Sequence, residues 1–165
     1  EHVVADLNRD RFDGPFDWII AEGVLHHIER IEDCLAGLRH ALAPRALLIM
    51  VEYIGPRRFQ LSDLQTRWIR AALDAMPREL RPLPRDDEGR HPAAADERER
   101  ILYSPPTEAE MIALDPSEAV IGPRLIAAIE ERFEIVERTG FGGTLLSYMT
   151  GHFDFARANE DAFAD

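Results

Sequence analysis

Two adjacent histidines, His26 and His27, are the residues of this sequence best suited to acid–base chemistry. An imidazole titrates near neutral pH, so either ring can serve as a general base that faces a substrate cavity. The alternative is that the rings pack or hydrogen-bond locally. Neighbouring residues of a helix point about 100° apart, so we expect that the pair cannot chelate one ion together. No Cys or carboxylate stands at ligand spacing beside them, and the sequence therefore predicts no metal site.

A second polar group consists of Glu52, Tyr53, Arg58 and Gln60, which follow an apolar run. Glu52 is suited to orienting a nucleophilic hydroxyl or amine, and Arg58 to holding an anionic group of a substrate. Tyr53 and Gln60 would line the same acceptor site. The alternative for this group is a structural ion pair with a helix cap.

These groups follow two apolar runs of strand length, residues 16–21 and 46–53, with a helical pattern between them. Nearly continuous apolar character predicts parallel strands that are buried on both faces. The helical pattern covers residues 31–42 and ends before Pro44. Because parallel strands need such a crossover, the order strand, helix, strand predicts an α/β fold with a parallel sheet.

Ligands of open α/β sheets bind beyond the carboxyl ends of the strands. The first of the two strands ends at Ala21, Glu22 and Gly23, which makes these residues candidates for a cofactor site. Gly23 would let the backbone approach a ligand closely. The alternative is a loop glycine with no ligand.

The remaining pattern predicts a short strand at residues 2–6, helices at 61–76 and 123–132, and a short helical turn that opens at residues 106–108. Residues 133–139 and 144–149 read as two strands around a glycine-rich turn, which predicts an antiparallel hairpin. A terminal helix is expected at residues 154–164. Residues 77–106 are expected to form a mobile insertion, because the segment up to residue 100 is rich in Pro, Arg, Asp and Glu.

Composition narrows the class of protein. The 165 residues suit one domain, and a net charge of -12 disfavours nucleic acid and anionic membranes as partners. The longest apolar runs are too short to span a bilayer. The single cysteine, Cys34, allows no internal disulfide, which favours a reducing compartment such as the cytoplasm.

The segment Phe16-Asp17-Trp18-Ile19-Ile20 with Val24-Leu25-His26-His27 resembles the fourth-strand motif of class I S-adenosylmethionine-dependent methyltransferases. The helix and strand that follow resemble the next crossover of that family, with Pro44-Arg45-Ala46 where the family usually has Pro-Gly-Gly. Residues 51–60, 115–119 and 141–146 are similar to a bacterial small-molecule subgroup. The resemblance spans Val3 to Met149.

The resemblance implies a Rossmann-like sheet, partly parallel, with an antiparallel strand pair at its C-terminal edge. It implies S-adenosylmethionine as cofactor and a small molecule as methyl acceptor. Asp6 would accept a hydrogen bond from the adenine amino group, Leu7 would supply an adjoining apolar contact, and Ala21, Glu22 and Gly23 would border the cofactor. The alternative for Asp6 is a solvated aspartate that caps a turn.

No Gly-x-Gly-x-Gly loop precedes residue 2, so the chain is expected to be the C-terminal portion of such a domain, truncated on its N-terminal side. Two other readings stay open. One is a non-catalytic methyltransferase-like module that serves as a partner or assembly domain. The other is a nicotinamide-dependent oxidoreductase, which would lack its dinucleotide fingerprint. An exposed sheet edge invites pairing, so a homodimer through residues 3–6 is expected.

Overall fold

The computed structural model describes residues 2–77, 80, 103–142 and 145–153. They divide between two compact units, one built from residues 1–60 and 106–139 and the other from 61–105 and 140–165. The strands are β1 (Phe16–Glu22) and β2 (Leu42–Val51), and the helices are α1 (Ile31–Ala41), α2 (Asp63–Ala75), α3 (Glu108–Leu114), α4 (Arg124–Glu130) and α5 (Leu146–Met149). Short 3-10 turns cover Leu25–His27, Arg57–Phe59 and Thr150–His152.

The first unit is organised by the crossover β1–α1–β2, in which the two strands pair in parallel. Along the pair, Trp18 lies opposite Leu47 and Ile20 lies opposite Ile49. Helix α1 carries Glu32 and Asp33 in its first turn and basic residues in its last turn, which suits the helix dipole at both ends. The prediction of a mixed α/β fold with a parallel sheet is therefore confirmed for these two strands.

One face of the sheet is packed. Ile19 and Ala21 of β1 and Leu48 and Met50 of β2 contact the main hydrophobic core of the unit. Its fully buried members come from α1, α4 and the turn after β1: Leu25, Ile31, Leu35 and Leu125. Burying one such side chain stabilises a fold by roughly 1.5–3 kcal/mol, so this core holds helices and sheet together.

The other face of the sheet is exposed, and the prediction that both strands are buried on both faces is wrong for the described residues. Trp18 is 64% exposed and Ile20 is 69% exposed, and their cross-strand neighbours Leu47 and Ile49 are exposed as well. A continuous apolar strand is buried on both faces only if helices or another layer cover each face of the sheet. Among the described residues no layer covers this face.

The first half of β2 contains an irregularity around Pro44 and Arg45. Phe16 lies opposite Leu42, and Trp18 lies opposite Leu47. A step of two residues along β1 therefore corresponds to a step of five residues along β2, which is a shift in the pairing register. Arg45 takes a φ of 69°, in the left-handed region that glycine adopts most easily. An arginine in a glycine-like conformation thus stands here at the first glycine position of the Pro-Gly-Gly pattern.

Both α3 and α2 begin with a capping box. In α3 the Thr107 hydroxyl accepts from the backbone amide of Glu110, and the Glu110 carboxylate accepts from that of Thr107. In α2 the pair is Ser62 and Gln65. Such caps satisfy amide groups that a helix start otherwise leaves without partners.

The second unit packs α2 against α5 through a separate small core. Ile69 and Leu73 of α2 are buried together with Tyr103, and Tyr148 and Met149 of α5 pack against them. Helix α2 matches the predicted helix at residues 61–76 closely, and α4 matches the one at 123–132.

The three further strands that the sequence predicts are absent from the described residues. Residues 2–6 and residues 133–139 belong to no strand, and Val136 is 83% exposed. Of the segment 144–149, residues 146–149 are α5, so the antiparallel C-terminal hairpin is wrong. Residue alternation is a weak signal that depends on a partner strand and on burial. In α5 the packing of Tyr148 and Met149 against α2 decides the outcome.

The insertion predicted for residues 77–106 and the terminal helix predicted for 154–164 lie largely outside the described residues. The one-domain organisation of residues 1–165 stays a prediction. Among the described residues, none of the helices has the length and apolar character needed to cross a membrane.

Candidate functional site

The carboxyl ends of β1 and β2 lie side by side, as the parallel crossover requires. The backbone amide of Gly23, just after β1, donates to the carbonyl of Val51, the last residue of β2, at 2.8 Å. Gly23 has a φ of +59°, and the space around the position of an added Cβ is open. This edge of the sheet places the turn after β1 next to Glu52 and Tyr53.

Glu52 caps the 3-10 turn that follows β1. Its Oε1 accepts hydrogen bonds from the backbone amides of Val24 at 3.0 Å and Leu25 at 2.9 Å. Its Oε2 accepts from the amide of His26 and lies 2.8 Å from Nδ1 of the same residue. The side chain is only 5% exposed, so its accepting positions serve the turn. These contacts match the alternative in which Glu52 caps a helix. The predicted role of Glu52, to orient a nucleophilic hydroxyl or amine, stays a prediction.

His26 is buried between two carboxylates. Its Nδ1 contacts Glu52, and its Nε2 lies 3.4 Å from Oε1 of Glu118. The ring also lies edge-on to Tyr53, with 6.0 Å between centroids.

His27 is partly exposed and faces the loop between α3 and α4. Its Nδ1 lies 3.0 Å from the hydroxyl oxygen of Ser117, and that hydroxyl donates to Oδ1 of Asp115 at 2.7 Å. The hydrogen bonds from Ser117, first its side chain and then its amide, hold the pKa of Asp115 below its usual value. The Nε2 of His27 lies 3.8 Å from Oε2 of Glu118.

The two histidine rings therefore converge, against the geometric premise of the sequence analysis. The residues occupy a 3-10 turn, and the ring centroids are 4.3 Å apart with a tilt of 37° between the planes. One ligand atom each from His26, His27 and Glu118 lie within 4.8 Å of one another. A regular helix would point neighbouring side chains about 100° apart, but this turn is a 3-10 turn, and Glu118 is distant in sequence. The segment 115–119, which contains Asp115, Ser117 and Glu118, is similar to the methyltransferase subgroup. Its residue spacing does not show that the segment lies against the histidines.

Arg58 fixes the loop that carries Glu118. The side chain is buried and donates from Nη1 to the carbonyls of Asp115 at 3.3 Å and Glu118 at 3.4 Å. Its backbone amide donates to Ala119, and Val120 in turn donates to the carbonyl of His26. Nε of Arg58 is buried without a partner among the described residues.

The other acceptor-side candidates make local contacts. Gln60 donates to the carbonyls of Arg58 at 2.8 Å and Pro106 at 3.0 Å. The Tyr53 hydroxyl donates to the carbonyl of Pro56, and its ring packs edge-on to Phe59. The structure thus favours structural roles for Arg58 and Gln60, and substrate binding by Tyr53, Arg58 and Gln60 stays a prediction.

An apolar cavity of about 340 Å³ lies beside β1 and brings together two of the predicted cofactor residues, Leu7 and Ala21. Its other lining residues come from β1, from the segment before it and from the turn and helix after it: Phe12, Phe16, Trp18, Ile19, Ile20, Val24, Leu25 and Leu38. Pockets of this size and apolar character suit the flat part of a small ligand.

Asp6, Glu22 and Gly23 lie outside the lining of that cavity. Asp6 accepts from the amide of Asn8 at 3.0 Å and pairs with Arg9 at 3.5 Å, which are the contacts of an aspartate that caps a turn. Glu22 is exposed at the end of β1. Cofactor binding by these three residues stays a prediction.

Comparison with protein-family models, with curated proteins and with solved structures finds no match to this chain.

Proposed function

We propose that this chain belongs to an S-adenosylmethionine-dependent methyltransferase that acts on a small molecule. The observation that carries the proposal is the apolar cavity beside β1, whose lining includes Leu7 and Ala21, two of the residues that the resemblance assigns to the cofactor. The parallel crossover β1–α1–β2 supports it, because open α/β sheets bind ligands near the carboxyl ends of their strands, and Ala21 lies near that end of β1.

In this proposal the cavity walls hold the adenine by apolar contact. Leu7 packs against the core from the segment before β1, and Ala21 lines the cavity from the strand itself. The acceptor would approach from the side of Glu52 and Tyr53. Alignment of the attacking atom with the sulfonium methyl supplies much of the rate of methyl transfer, so the proposal needs no single catalytic residue. Proton removal by His26 or His27 is the acid–base role that the sequence predicts.

Charge and cysteine content support the expected setting. A net charge of -12 disfavours nucleic acid and anionic lipid as partners. The lone Cys34 is buried, which fits a protein of the reducing cytoplasm. A homodimer through residues 3–6 stays a proposal, with Val3 and Val4 fully available at the surface.

Calorimetric titration of the chain with S-adenosylmethionine tests the proposal. We expect saturable binding that Leu7→Glu weakens about tenfold or more, because a carboxylate in an apolar pocket is poorly solvated. Leu114→Glu is the matched control, since Leu114 is 81% exposed and lies outside the cavity. Absence of binding by the folded chain, or equal losses in both variants, would contradict the cofactor site and favour the non-catalytic module.

A further inference from the structure

The hydrogen-bond partners of His26 determine which of its ring nitrogens carries hydrogen. Nδ1 lies 2.8 Å from Oε2 of Glu52, and an ionised carboxylate can only accept. Nδ1 is therefore the donor in the neutral ring, and Nε2 presents a lone pair. In that neutral form the lone pair faces Oε1 of Glu118 at 3.4 Å, so two acceptors stand opposite each other unless a cation lies between them.

The partners of His27 give the same result. The hydroxyl hydrogen of Ser117 is used toward Oδ1 of Asp115 at 2.7 Å, so the hydroxyl oxygen accepts from Nδ1 of His27 at 3.0 Å. Nε2 of His27 then also presents a lone pair, and it lies 3.8 Å from Oε2 of Glu118. Both rings thus direct a lone pair toward the same carboxylate.

We propose that His26, His27 and Glu118 form a binding site for a divalent transition-metal ion of the Zn²⁺ type. Converging lone pairs repel unless a cation lies among them, and a metal ion satisfies all three. In a tetrahedral zinc site with bonds of about 2.0–2.1 Å, ligand atoms lie about 3.3–3.4 Å apart. The 3.4 Å separation of His26 Nε2 and Glu118 Oε1 already meets that distance, and the other separations, which are at most 4.8 Å, would shorten toward it when the ion binds.

The surroundings of the three ligands are those of an oriented metal site. Glu52 and Ser117 hold the rings through Nδ1, as second partners do for metal-bound histidines. Arg58 holds the loop backbone at Glu118. Two imidazoles and a carboxylate favour zinc and its neighbours over Mg²⁺ or Ca²⁺, which prefer oxygen ligands. Three protein ligands leave a fourth position for water or a substrate oxygen. The assignment gives the His27 Nε2 lone pair to the metal, and it therefore excludes proton transfer by that nitrogen.

Calorimetric titration of the chelator-treated full chain with ZnCl₂ tests the site. We expect one saturable site that Glu118→Gln and His27→Ala each weaken about tenfold or more, while each variant keeps its far-ultraviolet circular dichroism. The matched controls are Glu134→Gln and His40→Ala, which alter exposed residues of the same unit and should leave the affinity unchanged.

Ser117→Ala provides a variant that keeps every ligand. It removes the acceptor of Nδ1 of His27 together with the hydroxyl donor to Asp115, and a loss of about tenfold in Zn²⁺ affinity is expected from such a second partner. The proposal is overturned if the wild-type chain binds no Zn²⁺, which would mean that a proton alone separates the rings from Glu118. It is equally overturned if the control variants lose as much affinity as the ligand variants.

Discussion

The Nδ1 atom of His26 lies 2.8 Å from Oε2 of Glu52, and this contact joins the segments that follow the two strands of the sheet. Glu52 comes directly after β2, whereas His26 lies in the turn after β1. The same carboxylate accepts hydrogen bonds from backbone amides of that turn. The buried Glu52 side chain therefore fixes both the start of the turn and the ring of His26. Glu52 is therefore the residue on which the geometry of the candidate site depends.

Replacing Glu52 with glutamine is expected to lower the free energy of unfolding by about 2–3 kcal/mol, because hydrogen bonds to a buried charged group are lost and an amide NH₂ meets other donors. Urea denaturation of the full chain measures the change. Glu22→Gln is the control at the exposed end of β1, with an expected change within about 0.5 kcal/mol. Equal stability of wild type and Glu52→Gln would show that the carboxylate does not hold the turn.

The strand ends could be predicted from the sequence because an apolar run of strand length, a helical repeat and a second apolar run allow few arrangements. Residues 16–21 and 46–53 had to be parallel neighbours, so Gly23 and Glu52 had to meet at one edge. The crossover alone therefore brings the turn that carries His26 next to Glu52.

What the sequence could not predict depends on contacts between distant segments. Glu118 reaches the histidines because Arg58 and the backbone of Val120 hold its loop, and no residue spacing encodes that. The strand predicted at residues 133–139 failed for the same reason, since alternation becomes a strand only where a partner strand exists. Residues 146–149 are helical because they pack against α2.

Arg45 offers a stabilising substitution. A non-glycine residue at a φ of 69° destabilises the folded state by about 1–2 kcal/mol. Glycine avoids this strain, and the additional chain entropy that it loses on folding costs only about 0.5–1 kcal/mol. Arg45→Gly is therefore expected to raise the free energy of unfolding by about 0.5–1 kcal/mol in urea denaturation. Ala46→Gly, one residue later and outside the left-handed region, should lower it by a similar amount. Destabilisation by both variants would contradict backbone strain at Arg45.

The capping box of α3 predicts a pH effect. The pKa of Glu110 lies below its ordinary value because the backbone amide of Thr107, and then its hydroxyl, donate to the carboxylate. The folded state thus favours the ionised form, so this contribution to stability is present above the ordinary pKa and is lost as pH falls through the depressed one. Carboxyl chemical shifts recorded against pH should show the low pKa of Glu110 in the wild type and a rise toward the ordinary value in Thr107→Ala. An unchanged Glu110 titration would rule out the capping contacts.

Cys34 reports on the opening of the first unit because it is the chain's one cysteine and is buried in α1. Burial raises the pKa of its thiol, with a smaller opposing effect from Arg11. The thiolate is the nucleophile, so labelling by iodoacetamide at neutral pH should be slow in the folded chain and fast in urea. A destabilising substitution in the same core, Leu35→Ala, should accelerate labelling in proportion to the open population. Rapid labelling of the folded wild type would contradict the burial of α1.

The exposed sheet face can be tested through Trp18, which is 64% exposed beside Ile20 and Leu47. The chain has two tryptophans, and Trp68→Phe removes the other one, which lies in the second unit. In that variant, quenching of fluorescence by acrylamide should be nearly as strong in the folded chain as in urea. Trp18→Gln should change the free energy of unfolding by less than about 0.5 kcal/mol, since an exposed side chain leaves no cavity. A shielded Trp18 in the folded chain would instead show that a further layer covers this face of the sheet.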